Sequence, residues 1–266
     1  RITKKTFLRW NVMPKLAEKI FQSFDLCLTS NSDTKKYLLS FKVKNVKSIG
    51  NLKLTFQGET SKIKDNNKEL LNQKKFWCAV STHEGEDVFC LNTHINIKKI
   101  HNDILTIIIP RHVDRANKIK LTCKKFGLKS QILSDNELID SDKEIIIINS
   151  YGVTSNYLKI CNSVFVGKSM IRKLKQEGGQ NPIEAAKLGC KIYHGPFVYN
   201  FKEIYEFLNK KNMSELVFNA KELSKKIIND LNNSNTKLNK NIDIINDLGE
   251  KILTNTSKEL NILINK

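Results

Sequence analysis

The sequence predicts an α/β protein whose larger part is a parallel β-sheet with helices on both faces. Three observations lead there. Short runs apolar at every position, such as Ile107-Ile108-Ile109 and Ile145-Ile146-Ile147-Ile148, suit strands buried on both sides. Helical spacing of apolar residues, over stretches of roughly 10–15 residues, separates these runs. The alternation becomes regular only from Phe76, after a polar stretch over 58–75 rich in Lys, Asn and Glu.

Taken in order, residues 4–24 read as a basic, aromatic helix that Pro14 breaks or kinks, with Phe7, Trp10, Ile20, Phe21 and Phe24 among Lys4, Lys5, Arg9, Lys15 and Lys19. Its pattern suits packing on a sheet, with a membrane-surface role as the alternative. A strand is expected over 25–29, caps within 30–33 for a helix to about position 41, and a second strand over 46–49 that ends in Gly50-Asn51-Leu52-Lys53. Residues 58–72 then read as a linker. Beyond it, strands are expected over 76–80, 105–109, 130–133, 145–149, 164–167 and 191–193. Helices are expected over 86–100, 113–126, 154–161, 182–188 and 200–209. The expected division is 1–57, the linker 58–72, a main domain over 73–212, and polar C-terminal helices over 213–266 broken near 232–235. Ligands of a parallel sheet bind at the carboxyl ends of its strands.

Composition narrows the function classes. With 40% hydrophobic residues among 266, the chain can bury a core. The longest apolar runs fall far short of the ~20 residues that span a bilayer. No secretory signal opens the chain, and its first residue is Arg1 rather than Met, which fits a cytoplasmic piece of something larger. The net charge of +18 suggests an anionic partner. Only five of the 45 basic residues are arginine, the side chain that nucleic-acid sites favour, and Lys, Asn and Ile are all abundant. That bias reads as compositional drift, with attraction to an anionic membrane surface beside it and no nucleic-acid partner. The six cysteines, at 27, 78, 90, 123, 161 and 190, form no C-x-x-C pair and no zinc spacing, so they read as small buried residues in a reducing compartment.

Chemistry concentrates in four loops. In Gly178-Gly179-Gln180-Asn181-Pro182-Ile183-Glu184, the glycines allow close backbone approach to a ligand, Asn181 is an N-cap candidate, Pro182 suits the first helical position and Glu184 the third. A helix start of this kind offers N–H groups to phosphate, and Glu184 serves either ribose hydroxyls or the cap. Pro110-Arg111-His112 ends a buried strand with a cation suited to phosphate or carboxylate, or with a plain surface arginine. Ser81-Thr82-His83-Glu84-Gly85-Glu86 offers His83 and Glu84 as acid or base, against helix capping by Thr82 and Glu86. Asn149-Ser150-Tyr151-Gly152 should edge the same cleft. No P-loop, serine elbow or H-E-x-x-H metal motif is present.

These motifs resemble one family. The segment from Phe76-Trp77-Cys78 to His83-Glu84-Gly85-Glu86, then Pro110-Arg111-His112, then 178–184, then Gly195-Pro196 with Asn200-Phe201, follow the order found in bacterial 3-deoxy-D-manno-octulosonic acid (Kdo) transferases of lipopolysaccharide synthesis. Gly50-Asn51-Leu52-Lys53 looks like the loop that ends that family's first domain, and the resemblance runs to about position 208.

The resemblance implies the GT-B architecture: a Rossmann-like donor domain over 73–212, and in 1–57 the second half of a Rossmann-like acceptor domain. It implies transfer of Kdo from CMP-Kdo to a phosphorylated lipid A precursor (lipid IVA) at the cytoplasmic face of the inner membrane, inverting and metal-independent, with CMP-Kdo as co-substrate and no further cofactor. It assigns CMP contacts to Pro110, Arg111, Tyr151, Gly152, Val153, Asn181, Pro182, Ile183 and Glu184, with His83, His112, Gly178 and Gly179 nearby, and transition-state stabilisation to Lys53. Three positions depart from the family: Tyr151-Gly152-Val153 replaces Met-Gly-Glu, Lys168 stands at a usual glycine, and Gln180 replaces a frequent His. The family's general-base Glu, glycine-rich acceptor loop and membrane anchor precede the point where the resemblance starts, so the chain is expected to be a fragment, inactive by itself. Two rival readings remain. One is a GT-B transferase of another nucleotide sugar; the other is a non-catalytic module, either a degenerate transferase or a basic RNA-binding domain.

Overall fold

The computed structural model describes residues 2–55, 65–135, 137–175, 178–233 and 239–265. The chain forms two units: Arg1–Gln57 with Asp243–Lys266, and Gly58–Ile242.

In the first unit the expected long helix is two, α1 (Lys4–Trp10) and α2 (Pro14–Gln22). Pro14 does not kink a continuous helix. It begins a new one, since a residue without an N–H loses nothing at a first-turn position. Phe7 stacks on Tyr37 at 4.4 Å, Trp10 meets Phe21 edge-on at 5.3 Å, and Phe21 stacks on Phe41, so these aromatics pack inward. Strands β1 (Cys27–Thr29) and β2 (Val46–Ser48) pair in parallel around α3 (Ser32–Ser40). Asn31 caps α3, its Oδ1 accepting from the Thr34 N–H at 2.8 Å.

The second unit opens with a correction. Of the expected linker, 58–64 lies outside the described residues, but Asp65–Gln73 is a helix, α4. Leu71 is buried, and buried Asn67 donates to Glu137 O at 2.9 Å and accepts from the Ile139 N–H at 2.8 Å. The seven parallel strands are β3 (Phe76–Thr82), β4 (Leu105–Pro110), β5 (Ser130–Leu133), β6 (Ile145–Ile148), β7 (Ser163–Val166), β8 (Lys191–His194) and β9 (Ser214–Leu216). Their order is β5-β6-β4-β3-β7-β8-β9. The connecting helices are α5 (Glu86–Lys98), α6 (Ala116–Lys125), α7 (Thr154–Leu158), α8 (Ile183–Lys187), α9 (Lys202–Lys210) and α10 (Ala220–Asn232).

Alternation along the strands serves two cores. Trp77, Ala79, Ile108, Ile145, Ile147, Phe165 and Tyr193 pack with Cys90, Leu91 and Ile97 of α5, Ile119 and Cys123 of α6, and Leu223 and Ile227 of α10. The intervening Cys78, Ile107, Ile146, Val164 and Ile192 are equally buried, and α7 and α8 lie against this sheet at β3 and β8. This explains why the strands read as unbroken apolar runs.

The expected C-terminal segment 213–266 divides differently. β9 extends the sheet and α10 packs on α5, so both belong to the second unit. The last helix, α11 (Asn239–Ile264), joins the first unit from Asp243 onward. There a Cβ on Gly249 would come 2.5 Å from Leu54 O, Ile252 fills the space beside Gly50, and Lys47 pairs with Glu259 at 2.5 Å. Among the described residues no helix is long and apolar enough to cross a membrane.

Candidate functional site

The strand order reverses at β3. The chain winds from β3 outward through β4 to the β6 and β5 edge, then returns to β7 on the other side of β3. In a parallel sheet this reversal opens a crevice outside the carboxyl ends of the strands. The loops after β3, β4, β6, β7 and β8 therefore share one end of the sheet, and the sequence places its candidate residues on them.

At the end of β3, Ser81 takes φ +54° and the register with β4 shifts between Val80 and Thr82, a bulge that redirects the following residues. His83 Nδ1 lies 3.1 Å from Ser81 O; because a carbonyl only accepts, Nδ1 carries the proton and Nε2 keeps its lone pair. Burial holds the His83 pKa below its ordinary value, and Lys168, His112 and Arg115 lower it further against the Ser81 bond. The Glu84 carboxylate is exposed and pairs with Lys118 of α6, with its pKa held down by that partner.

Glu86 contributes more than a cap. It is fully buried, and its carboxylate accepts four backbone N–H bonds: Oε2 from His83 (2.9 Å) and Lys168 (2.7 Å), Oε1 from Ser169 (2.9 Å) and Met170 (3.0 Å). One side chain thus ties the loop after β3 to the loop after β7 across the reversal. Thr82, the other expected cap, makes none: its buried Oγ1 has no partner, and Gly85 (φ +96°) occupies the cap position.

At the end of β4 the Arg111 N–H bonds to Thr82 O at 3.0 Å, while its guanidinium is exposed and unpaired among the described residues. His112 is also exposed, its ring 5.9 Å from that of His83. The neighbouring Arg115 is turned to structure: it pairs with Asp87 of α5 and donates to Thr82 O at 3.0 Å. Burial raises the Asp87 pKa against the pull of Arg115.

After β6, Tyr151 is exposed, Gly152 takes φ +78° with open space around it, and Val153 leads into α7. After β7, the expected capping box does not form. Asn181 Oδ1 accepts from the Ile183 N–H, two residues on, at 3.2 Å, so α8 starts at Ile183 with Pro182 as its cap residue. Glu184 accepts instead from the Ser155 hydroxyl of α7 at 2.5 Å, which joins the loops after β6 and β7. Gly178 and Gly179 are buried, and their freedom is used within the protein: a Cβ on Gly178 would lie 2.4 Å from Phe197 O, and one on Gly179 2.9 Å from Val198 Cα. Tyr205 of α9 steadies the same loop by donating to Gln180 O at 3.1 Å. Lys53, in the first unit, is exposed on a 3-10 turn over Leu52–Leu54, which Asn51 caps. Among the described residues no three His, Cys, Asp or Glu side chains gather as a metal site would require.

The sheet thus brings Pro110, Arg111, His112, His83, Tyr151, Gly152, Val153, Asn181, Pro182, Ile183 and Glu184 to one end of the second unit. Sequence reasoning missed the bridging by Glu86, the Ser155 partner, Tyr205 and the Arg115–Asp87 pair. Each depends on a neighbour distant in the chain. The one local sign was an acid at the first position of α5.

No protein-family model matches the chain. It is 27% identical over 214 residues to the 3-deoxy-D-manno-octulosonic acid transferase of Aquifex aeolicus, covering 80% of this chain and 56% of that protein. It is 29% identical over 182 residues to the Haemophilus influenzae enzyme of the same name, covering 67% of this chain and 42% of that one. The chain is thus similar in sequence to Kdo transferases. It spans about half the length of these curated Kdo transferases. Among solved structures it is similar to the C-terminal CMP-Kdo binding domain of WaaA from Acinetobacter baumannii, with a TM-score of 0.58 and 18% identity, covering 71% of this chain and 94% of that domain. That likeness shows the fold, which is the α/β architecture of GT-B glycosyltransferases with a Rossmann-like parallel sheet.

Proposed function

We propose that this Kdo-transferase relative supplies the donor-binding part of a glycosyltransferase that moves Kdo from CMP-Kdo, the nucleotide lying across the carboxyl ends of β3, β4, β6 and β7. The observation that carries the reading is Arg111: an exposed guanidinium without a protein partner among the described residues, at the end of a buried strand beside the reversal of strand order. A cation there suits the phosphate of CMP. In this reading Pro110 and Arg111 contact CMP, as do Tyr151, Gly152 and Val153, and Asn181, Pro182, Ile183 and Glu184 complete its seat. His83, His112, Gly178 and Gly179 stand near it.

The chemistry follows from the donor. An acceptor hydroxyl, giving its proton to a general-base carboxylate such as the family's Glu, attacks the anomeric carbon of Kdo, the bond from that carbon to the phosphate oxygen breaks with inversion, and CMP departs carrying the electron pair. Negative charge grows on the phosphate in the transition state, where a cation lowers the barrier. Arg111 takes this role in the second unit, and the resemblance assigns transition-state stabilisation to Lys53 as well. No metal is invoked. The proposed acceptor is a phosphorylated lipid A precursor, lipid IVA, at the cytoplasmic face of the inner membrane, an anionic surface for which a net charge of +18 is favourable.

Calorimetric titration of the chain with CMP and with UDP tests the reading. CMP should bind and UDP should bind at least about tenfold more weakly; preference for UDP, or no CMP binding, would overturn it. Arg111→Ala should weaken CMP binding by at least about tenfold, the loss of one charge-assisted contact, while leaving the melting temperature in place because the side chain is exposed.

A further inference from the structure

We infer that Lys168 is a second anion-binding residue of the donor site, gripping the phosphate or the sugar carboxylate of the nucleotide sugar. The inference deepens the donor-site reading above and rests on it. It starts from a conformation. Lys168 follows β7 at φ +57°, the left-handed region that side chains other than glycine, Asn and Asp seldom adopt. The neighbouring structure holds it there. Its N–H donates to Glu86 Oε2 at 2.7 Å, and its carbonyl accepts from the Gly179 N–H at 2.7 Å. Next to it, Gly167 donates to Val80 O at 2.9 Å in a space with no room for a Cβ, 2.6 Å from Ser81 O. The backbone of Lys168 is therefore fixed at the sheet reversal, in a conformation that a lysine makes more costly than a glycine would.

The surroundings give that lysine a use. Glu86 Oε2 also receives the His83 N–H, so the backbones of Lys168 and His83 lie side by side on one oxygen. His83 in turn faces His112, and Arg111 hangs from Thr82 O. The carboxylates at this end of β3 are committed elsewhere: Glu86 to four backbone donors, Asp87 to Arg115, Glu84 to Lys118. Lys168 itself is half-buried and makes no ion pair among the described residues. The Lys168 charge also helps to hold the His83 pKa down, after burial, which agrees with an ammonium directed toward the crevice. With Glu84, Glu86 and Asp87 all engaged, the cations Lys168 and Arg111 at this end of the sheet suit an anion, and Kdo attached to CMP carries two: the phosphate and the sugar carboxylate.

The test compares wild type with Lys168→Gly and Lys168→Gln, titrated with cytidine, CMP and CMP-Kdo. Both variants should bind cytidine within about twofold of wild type and lose about tenfold on an anionic ligand. Loss with CMP and CMP-Kdo alike assigns the phosphate; loss with CMP-Kdo alone assigns the carboxylate. The melting temperature separates function from structure: Lys168→Gly should raise it, because glycine relieves the left-handed strain, even as binding falls. Unchanged affinity for both anions, or a loss that extends equally to cytidine, would overturn the inference and leave the donor-site reading standing. A wild-type chain that binds neither CMP nor CMP-Kdo would overturn that reading and the inference with it.

Discussion

Single residues set the loops of this site. A carboxylate with no solvent exposure is costly unless its charge is met, and Glu86 meets it with four N–H donors at the start of α5, where the helix dipole adds to them. Glu86→Gln would aim an amide NH2 at two of those donors. It should destabilise the chain by at least about 2 kcal/mol in denaturant unfolding; a change below about 0.5 kcal/mol would mean that the bonds carry little. Arg111 was legible as a candidate because a cation ending an apolar run has no packing duty. Glu86 was legible only as a cap, since three of its four donors, Lys168, Ser169 and Met170, lie more than eighty residues away. Gly178 and Gly179 were marked for close approach to a ligand, and in the fold the backbone of Phe197 and Val198 is what approaches them.

At the scale of elements, the buried strands were the most readable, because every position on them is apolar and no other local pattern explains that. Strand 130–133 and the centres of the other main strands fall where the sequence put them. Strand β9 was not read. Its sequence, Ser214-Glu215-Leu216, is polar because it lies at the sheet edge, where Glu215 takes Lys191 and Lys226 at 2.5 Å each. Helix α4 was read as linker for a similar reason: its composition is polar, and its place in the fold comes from Leu71 and from one amide, Asn67, that satisfies two backbone groups of the 137–139 loop. Asn67→Ala would leave those groups without their partner. It should cost about 1–3 kcal/mol and speed amide exchange in α4 and at Ile139. Unchanged exchange at both would show that α4 docks by other contacts.

For the molecule as a whole, acid should act first through buried histidines of the second unit. His94 is enclosed, with Thr106 on Nδ1 at 2.9 Å and Glu144 on Nε2 at 3.4 Å, and Lys98 nearby; His194 bonds to Gly195 O and Asn209 and packs on Tyr205. Burial lowers both pKa values from the ordinary 6.5, and outweighs Glu144 in the case of His94. The unfolded chain therefore binds more protons as pH falls. Stability from these histidines is complete above about pH 6.5 and is lost as pH falls toward their folded values. Carboxylates with lowered pKa, Glu144 and Glu215, add acid loss only below their ordinary 4.5. The melting temperature should fall between pH 7.5 and 5 by about 2–4 °C for each kcal/mol lost; a flat profile would mean the histidines are hydrated in the fold.

The sequence by itself determined the parallel sheet, the loops that gather at its carboxyl end and the Kdo-transferase resemblance, because apolar runs and short motifs are properties of neighbouring residues. Tertiary structure alone decided that the carboxylate at 86 joins two loops, that Glu184 turns to Ser155 rather than to its own helix, and that α11 joins the first unit while α10 joins the second. The physical reason is the same in each case. A buried polar group must find a partner and an apolar face must find a cover, and which partner or cover is within reach depends on residues far away in the chain.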